Sequence, residues 1–412
     1  MTGLRELFED AAGSPARPSG LLTANEVYDA GRRRHRRRRA ATTVAGAAAL
    51  TLVTVAAVNL LAPVPPSVDG PPLDGPATPT GNPDPATGSR IRWAGAADRD
   101  HLYLALSHCA DEPCRKQTVA VVRSSDGGRT WSDRGAPIAP DALTVVGPDT
   151  LITTAPDARS AAGTALLASL DGGRTWAAAP STGTAEAVPD GGVAICWSAR
   201  ADQPCVLHAV DPTTGGVGRL AAQPPLNRRT DELRIEESAG RLRIAGTDPT
   251  TRKPAVSTST DAGRTWSTHV FTDAPACPEQ RCEPPMLAVT GTATAYAVVS
   301  VDGLRTVYRA DGTRWQRLTT AGLPDGLAGT GSFVTADGTH VLTQLLNGRD
   351  GDVRRYWAAR DGDAYRAVEL DGLPKSAEAV RRAPDGWFYA PDADGTLYGS
   401  TDGWRWSPVT HR

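Results

Sequence analysis

Residues 169–176 read Ser-Leu-Asp-Gly-Gly-Arg-Thr-Trp, and the chain writes this octapeptide three times. Residues 124–131 are Ser-Ser-Asp-Gly-Gly-Arg-Thr-Trp, and residues 259–266 are Ser-Thr-Asp-Ala-Gly-Arg-Thr-Trp. The pattern has the chemistry of a tight turn that opens a strand. Its carboxylate (Asp126, Asp171, Asp261) can accept hydrogen bonds from backbone N–H groups of the following turn, and Gly supplies the positive φ that the turn requires. Its tryptophan (Trp131, Trp176, Trp266) begins the next strand with a large apolar area to bury between sheets. Degenerate copies run from Asp311 to Trp315, from Asp361 to Tyr365 and from Ser400 through Asp402 to Trp406, with a much eroded one around Asp211. A residue repeated identically along a chain is expected to be structural rather than catalytic or calcium-binding.

The aspartates at 126, 171, 211, 261, 311, 361 and 402 lie 45, 40, 50, 50, 50 and 41 residues apart. A period of about 40–50 residues is that of a four-stranded propeller blade. Alternation places the first four strands at 91–95, 101–107, 118–124 and 130–133, and the last four at 377–382, 387–390, 396–399 and 404–409. The expected blades are 90–140, 141–181, 182–228, 229–274, 284–324, 330–374 and 375–412, an all-β seven-bladed β-propeller. Both terminal blades read as complete, so the ring is expected to close without exchanging a strand between its ends. A six-bladed ring with the Asp211 region as an insertion is the alternative.

These octapeptides resemble the Asp-box (BNR) repeats of sialidases, sortilin-type receptors and related propellers, and the resemblance covers residues 90–412. It implies that the repeat occupies the turn between third and fourth strands. Loops from second to third strand, and from blade to blade, would then share the opposite face. The six cysteines form three local pairs, Cys109/Cys114, Cys196/Cys205 and Cys277/Cys282. Even number and short spacing fit disulfides in an oxidising compartment; zinc binding is the competing reading, although zinc sites favour C-x2-C spacing with further ligands nearby. On the blade assignment all three bridges rim that opposite face.

Ahead of the repeats the chain changes character. Residues 40–61 are 22 consecutive uncharged residues, eight of them Ala. At a 1.5 Å rise this segment spans about 33 Å, enough for a transmembrane helix. Seven arginines occupy 32–39 just before it, and the next Arg or Lys after it is Arg90. The positive-inside rule then puts residues 1–39 in the cytoplasm and the repeats outside the cell, as in a single-pass signal-anchor protein. Residues 62–89 hold nine prolines and read as an extended linker of up to about 80 Å. A cleaved signal peptide is the weaker reading, because the 39 residues ahead of the apolar run are long for one. The formal net charge of -2 gives no argument for nucleic acid, and the Ala, Gly, Pro and Arg usage suits a high-GC genome such as an actinobacterium's.

The resemblance raises a sialidase-like exo-glycoside hydrolase, which needs three converging arginines, a Tyr paired with a Glu, and an acid/base residue. The stretch Ser89-Arg90-Ile91-Arg92-Trp93 departs from the family's Arg-Ile-Pro-type motif, and most of Arg234, Arg241, Arg243, Arg381 and Arg382 read as solvated ends or surface residues. No phosphate loop, HExxH, G-x-S-x-G or cofactor motif is present, and no metal site is expected. The sequence reading is a membrane-anchored binding or scaffolding module for a protein or glycan ligand; the hydrolase is the alternative, and an assembly factor for membrane complexes is a third possibility. Its functional surface is expected in the second-to-third-strand loops: Asp111, Glu112, Arg115 and Lys116, then Arg252 and Lys253, then Arg349, Asp350 and Asp352.

Overall fold

The computed structural model describes residues 90–409, apart from 110–116, 135–142, 157–163, 199–202, 229–234, 239, 278–282, 302–303, 325–328, 349–350 and 393. The cytoplasmic tail, membrane segment and linker expected at 1–39, 40–61 and 62–89 lie outside the described residues. Among the described residues no helix is long and apolar enough to cross a membrane.

The described residues form seven four-stranded antiparallel sheets, with one parallel exception in the third. Blade 1 is β1 (Arg90–Ala96), β2 (Leu102–Cys109), β3 (Gln117–Ser124) and β4 (Ser132–Asp133). Blade 2 is β5 (Thr144–Val145), β6 (Leu151–Pro156), β7 (Thr164–Ser169) and β8 (Ala177–Ala178). Blade 3 takes β9 (Ser181–Ala185), β10 (Val193–Trp197), β11 (Val206–Val210) and β12 (Val217–Leu220). Blade 4 is β13 (Glu236–Ser238), β14 (Arg241–Thr247), β15 (Pro254–Ser259) and β16 (Ser267–Val270). Blade 5 is β17 (Met286–Val289), β18 (Ala295–Val301), β19 (Leu304–Asp311) and β20 (Arg314–Arg317). Blade 6 is β21 (Gly329–Val334), β22 (His340–Gly348), β23 (Gly351–Ala359) and β24 (Arg366–Val368). Blade 7 is β25 (Arg381–Arg382), β26 (Phe388–Pro391), β27 (Leu397–Ser400) and β28 (Ser407–Pro408). The Asp211 region is thus part of a blade, and the six-bladed alternative falls.

Two differences from the sequence expectation have local causes. Strands β4 and β28 start later than expected, because Thr130, Trp404 and Arg405 still give their N–H groups to Asp126 or Asp402 in the preceding turns. Blade 3 is not laid down in chain order: its sheet runs β10-β11-β12-β9, and β9 pairs parallel with β12. Gly218 on β12 permits that approach, since a Cβ there would stand 2.6 Å from Thr182 Oγ1. The Asp211 turn therefore joins the second and third positions of its sheet, where Thr213 and Thr214 cap it.

Seven apolar clusters lie between the sheets, each bridging two neighbouring blades. The blade 7–blade 1 seam packs Ile91, Leu104 and Val122 against Ala383, Tyr389 and Leu397. Arg381 Nη1 also donates to Ala94 O at 3.3 Å, and Arg99 N to Asp385 Oδ2 at 2.9 Å. The ring closes by packing, with every strand of the two terminal blades kept in its own sheet.

Candidate functional site

The two rims of the ring are built differently. On one rim the octapeptide turns close on themselves. Asp171 Oδ1 accepts from Thr175 N at 2.9 Å and Ser169 Oγ at 2.8 Å, and Oδ2 accepts from Thr175 Oγ1 at 2.7 Å. Ser169 Oγ in turn accepts from Gly173 N at 2.8 Å, and Trp176 Nε1 donates to Gly173 O at 3.1 Å. Asp126 and Asp261 repeat the carboxylate set with Thr130 and Thr265. Each carboxyl is held at about 2: for Asp126 and Asp261 the threonine hydroxyl is the leading cause, and for Asp171 the hydrogen bonds outweigh an opposing effect of burial. Asp402 keeps part of the arrangement, accepting from Ser400 Oγ, Trp404 N and Arg405 N. Asp311 does not: it ends β19 opposite Arg314 in a two-residue hairpin. The carboxylate of Asp361 turns to Arg309 at 3.6 Å and Arg360 at 3.7 Å.

The tryptophans sit where each turn meets the preceding blade. Trp315 and Trp406 are 8% and 6% exposed, whereas Trp131, Trp176 and Trp266 are only partly buried against their clusters. Trp266 departs from its siblings by donating to Ala222 O at 3.1 Å, across the seam into blade 3.

Gly127 N and Gly172 N bond to Asp100 O and Asp149 O, in the first turn of the same blade, so first and third turns share this rim. The second-to-third-strand connections leave from the other rim. There Cys196, on β10, is joined to Cys205, just before β11, with Cα atoms 5.3 Å apart. Cys277 is also disulfide-bonded, and no described cysteine is free. The expected partner Cys282, residue Cys114 and the side chain of Cys109 lie outside the described residues, as do Asp111, Glu112, Arg115, Lys116, Arg349, Asp350 and the side chain of Asp352.

One described part of this rim is a backbone-bonded arc over blades 3 and 4. Cys205 N donates to Arg228 O at 3.0 Å, and Asn227 and Thr247 exchange bonds of 2.8 and 3.0 Å. Asp248 N reaches Lys253 O, Arg252 N reaches Asp248 O, and Cys277 N reaches Arg252 O, each at 2.9 Å. The 248–253 hairpin is capped by Asp248, whose carboxylate accepts from Thr251 N at 2.6 Å and from its hydroxyl at 2.7 Å; those bonds, the backbone one foremost, hold its carboxyl below the usual range. Arg252 has φ 57, the left-handed region that side chains rarely adopt. The arc therefore links two disulfide-bonded cysteines, Cys205 and Cys277, and carries Arg228, Arg252 and Lys253, the last bonded through Nζ to Thr272 O. Beneath it is a cleft of about 160 Å³ lined by Cys205, Leu207, Gln223, Leu226, Arg228 and Ile244. Gln223 closes one wall like an added strand, its amide taking Leu207 N at 2.8 Å and giving to Leu207 O at 3.0 Å. Pockets that enclose small ligands run from about 300 Å³ upward, so this cleft suits a side chain or sugar edge rather than a whole metabolite.

Sequence reading missed two buried groups. Arg243, expected in solvent, has no exposed surface, because blade 5 covers the face of β14 that carries it. His340 is also fully buried, stacked on Tyr296 with ring centroids 4.2 Å apart. Its Nε2 meets Ser332 Oγ and its Nδ1 meets Tyr365 OH, both at 2.7 Å. Among the described residues no group of three His, Cys, Asp or Glu is placed to hold a metal ion.

Fold and rims together define a seven-bladed β-propeller. No protein-family model matches the chain, and no curated protein matches it. Among solved structures it is similar to the β-propeller domain of the Trilobed protease of Pyrococcus furiosus, with 9% identity over 79% of this chain and 96% of that one and a TM-score of 0.45. It is also similar to an α-L-arabinofuranosidase of Fusarium graminearum crystallised with an iminosugar inhibitor: 16% identity, 80% and 93% covered, TM-score 0.35. A puromycin-hydrolysing peptidase of Mycobacterium tuberculosis matches at 14% identity over 79% of this chain, which spans about half, 53%, of that enzyme, with a TM-score of 0.45. Nothing about this chain's chemistry follows from such likeness, because a propeller hosts many unrelated chemistries.

Proposed function

We propose that this chain is an Asp-box propeller, tethered to the membrane by residues 40–61 with its blades outside the cell, and that it binds a protein or glycan ligand through its disulfide-bearing rim. The observation that carries this reading is the knit arc from Cys205 to Cys277, a preorganised cationic edge on a rigid ring. Binding groups gather on loops of that kind because the ring beneath them does not depend on their sequence. The opposite rim suits a scaffold, since its strongest acids are occupied in holding their own turns.

The alternative, a sialidase-like hydrolase, finds little support in the tyrosines. The described Tyr–carboxylate pair is Tyr308 OH with Asp273 Oδ1 at 2.7 Å, beside Arg317 at 3.2 Å. Burial and that carboxylate push the Tyr308 phenol upward, the wrong direction for a nucleophile. The deciding experiment is to incubate the full chain with a fluorogenic sialoside and, in parallel, with an immobilised glycan and peptide array. The expected outcome is array binding that Arg252→Glu/Lys253→Glu weakens at least tenfold, with no sialoside turnover. Turnover abolished by substitutions on the same rim would replace the binding reading with the hydrolase.

A further inference from the structure

Arg243 sits on β14 with none of its surface exposed, on the face that packs with Ala245 against blade 5. Its Nη2 donates to Ala293 O at 2.7 Å, while Nε and Nη1 meet no hydrogen-bond partner. Two residues earlier on the same face, Arg241 also buries an Nε without a partner. Burial, and then the nearness of Arg241, draw the Arg243 guanidinium down to about 10, which leaves it charged at neutral pH. A third arginine reaches the same turn from blade 7, since a Cβ built on Gly291 would stand 3.0 Å from Arg382 Nη2. Ser238 Oγ donates to Thr290 O and Thr292 O in the same turn, at the edge of the apolar cluster between these blades. Among the described residues no carboxylate forms an ion pair with Arg241 or Arg243.

A buried charge without a counter-charge is strongly unfavourable, and orphaned buried donors commonly mark a water or an ion. We propose that the seam between blades 4 and 5 binds a small inorganic anion of chloride size, held by the unused N–H groups of Arg243 and by Arg241, as the counter-ion that locks these two blades. A guanidinium with no exposed surface favours a halide over the larger phosphate or sulfate. The turn beside it ends in Gly291 and Thr292, which are exposed and leave a way in from solvent. The site is independent of the disulfide-bearing rim and would stand if the binding reading fell.

The test is thermal unfolding of the full chain in sodium chloride and in sodium gluconate, at one pH and ionic strength. The wild type is expected to melt higher in chloride, by about 2 °C or more and with a saturable dose dependence. Arg243→Met keeps the length and removes the charge. It should melt at or above the wild type in gluconate and show no difference between the salts. Equal wild-type melting in both salts overturns the proposal. A chloride gain kept in full by Arg243→Met overturns it too. Should that variant not fold, crystals of the wild type soaked in bromide decide: an anomalous peak beside Arg243 Nε or Nη1 supports the site, and its absence refutes it.

Discussion

Trp406 is 6% exposed, lies in the blade 6–blade 7 cluster and donates its indole N–H to Gly403 O at 3.1 Å. Truncating a buried aromatic of this kind costs about 3–5 kcal/mol, so Trp406→Ala should lower the stability measured by denaturant titration by that amount. Trp176 is only partly buried in its seam, and Trp176→Ala is expected to cost visibly less in the same titration. Trp176 closes an intact octapeptide and Trp406 a degenerate one, yet the degenerate copy holds the deeper ring, because how deeply each is covered depends on the neighbouring blade. His340 makes a different prediction. Burial lowers it to about 3, so the folded protein holds it neutral while the unfolded chain titrates at its ordinary 6.5. The unfolded state then binds the extra proton, and the stability that neutral His340 contributes is full above 6.5 and lost as pH falls towards 3. Melting temperature should therefore drop as pH is lowered from 7 to 4, less steeply in His340→Gln. An equal slope in the variant would assign the acid sensitivity to other groups, such as His208 and His269, which burial also lowers.

At the scale of elements, the octapeptide turns were the legible part. Their Ser, Asp, Gly and Thr form a closed hydrogen-bond set within eight residues, so sequence alone specifies them. What sequence did not specify depends on distant approach. Strand β9 joins blade 3 from its outer edge because Gly218 admits Thr182, and nothing in the local pattern marks a parallel partner. Arg241-Leu242-Arg243-Ile244 alternates like a half-solvated strand, but blades of a ring are covered on both faces, and the polar side of β14 is buried as well. The Cys196–Cys205 bridge closes a loop with a sequence separation of 9. Removing it by Cys196→Ser/Cys205→Ser should cost about 2–3 kcal/mol on the chain-entropy account, read as a lower denaturant midpoint, with the far-ultraviolet circular dichroism of the folded form unchanged. A loss near zero would mean that the backbone bond from Cys205 N to Arg228 O already fixes the loop.

At the scale of the whole molecule, the period of the aspartates foretold a ring of seven blades, and packing of blade 7 on blade 1 explains how it closes with both terminal sheets intact. The candidate site was legible only as an address: the blade assignment led to an expectation of cysteines and charged loops on one rim, while the arc over blades 3 and 4 is held in part by bonds between segments about twenty residues or more apart, such as Asn227 with Thr247. The proposed topology predicts that protease added to spheroplasts digests the blades and spares residues 1–39; protection of the blades would reverse the orientation. The division of labour between the two rims is the central claim, and photocrosslinking in intact cells tests it most directly. A benzoylphenylalanine at Thr250, exposed on the arc, is compared with one at Arg174, exposed on the octapeptide turn of blade 2. Discrete crosslinked adducts from position 250 and none from position 174 are the predicted result, and adducts confined to position 174 would contradict it.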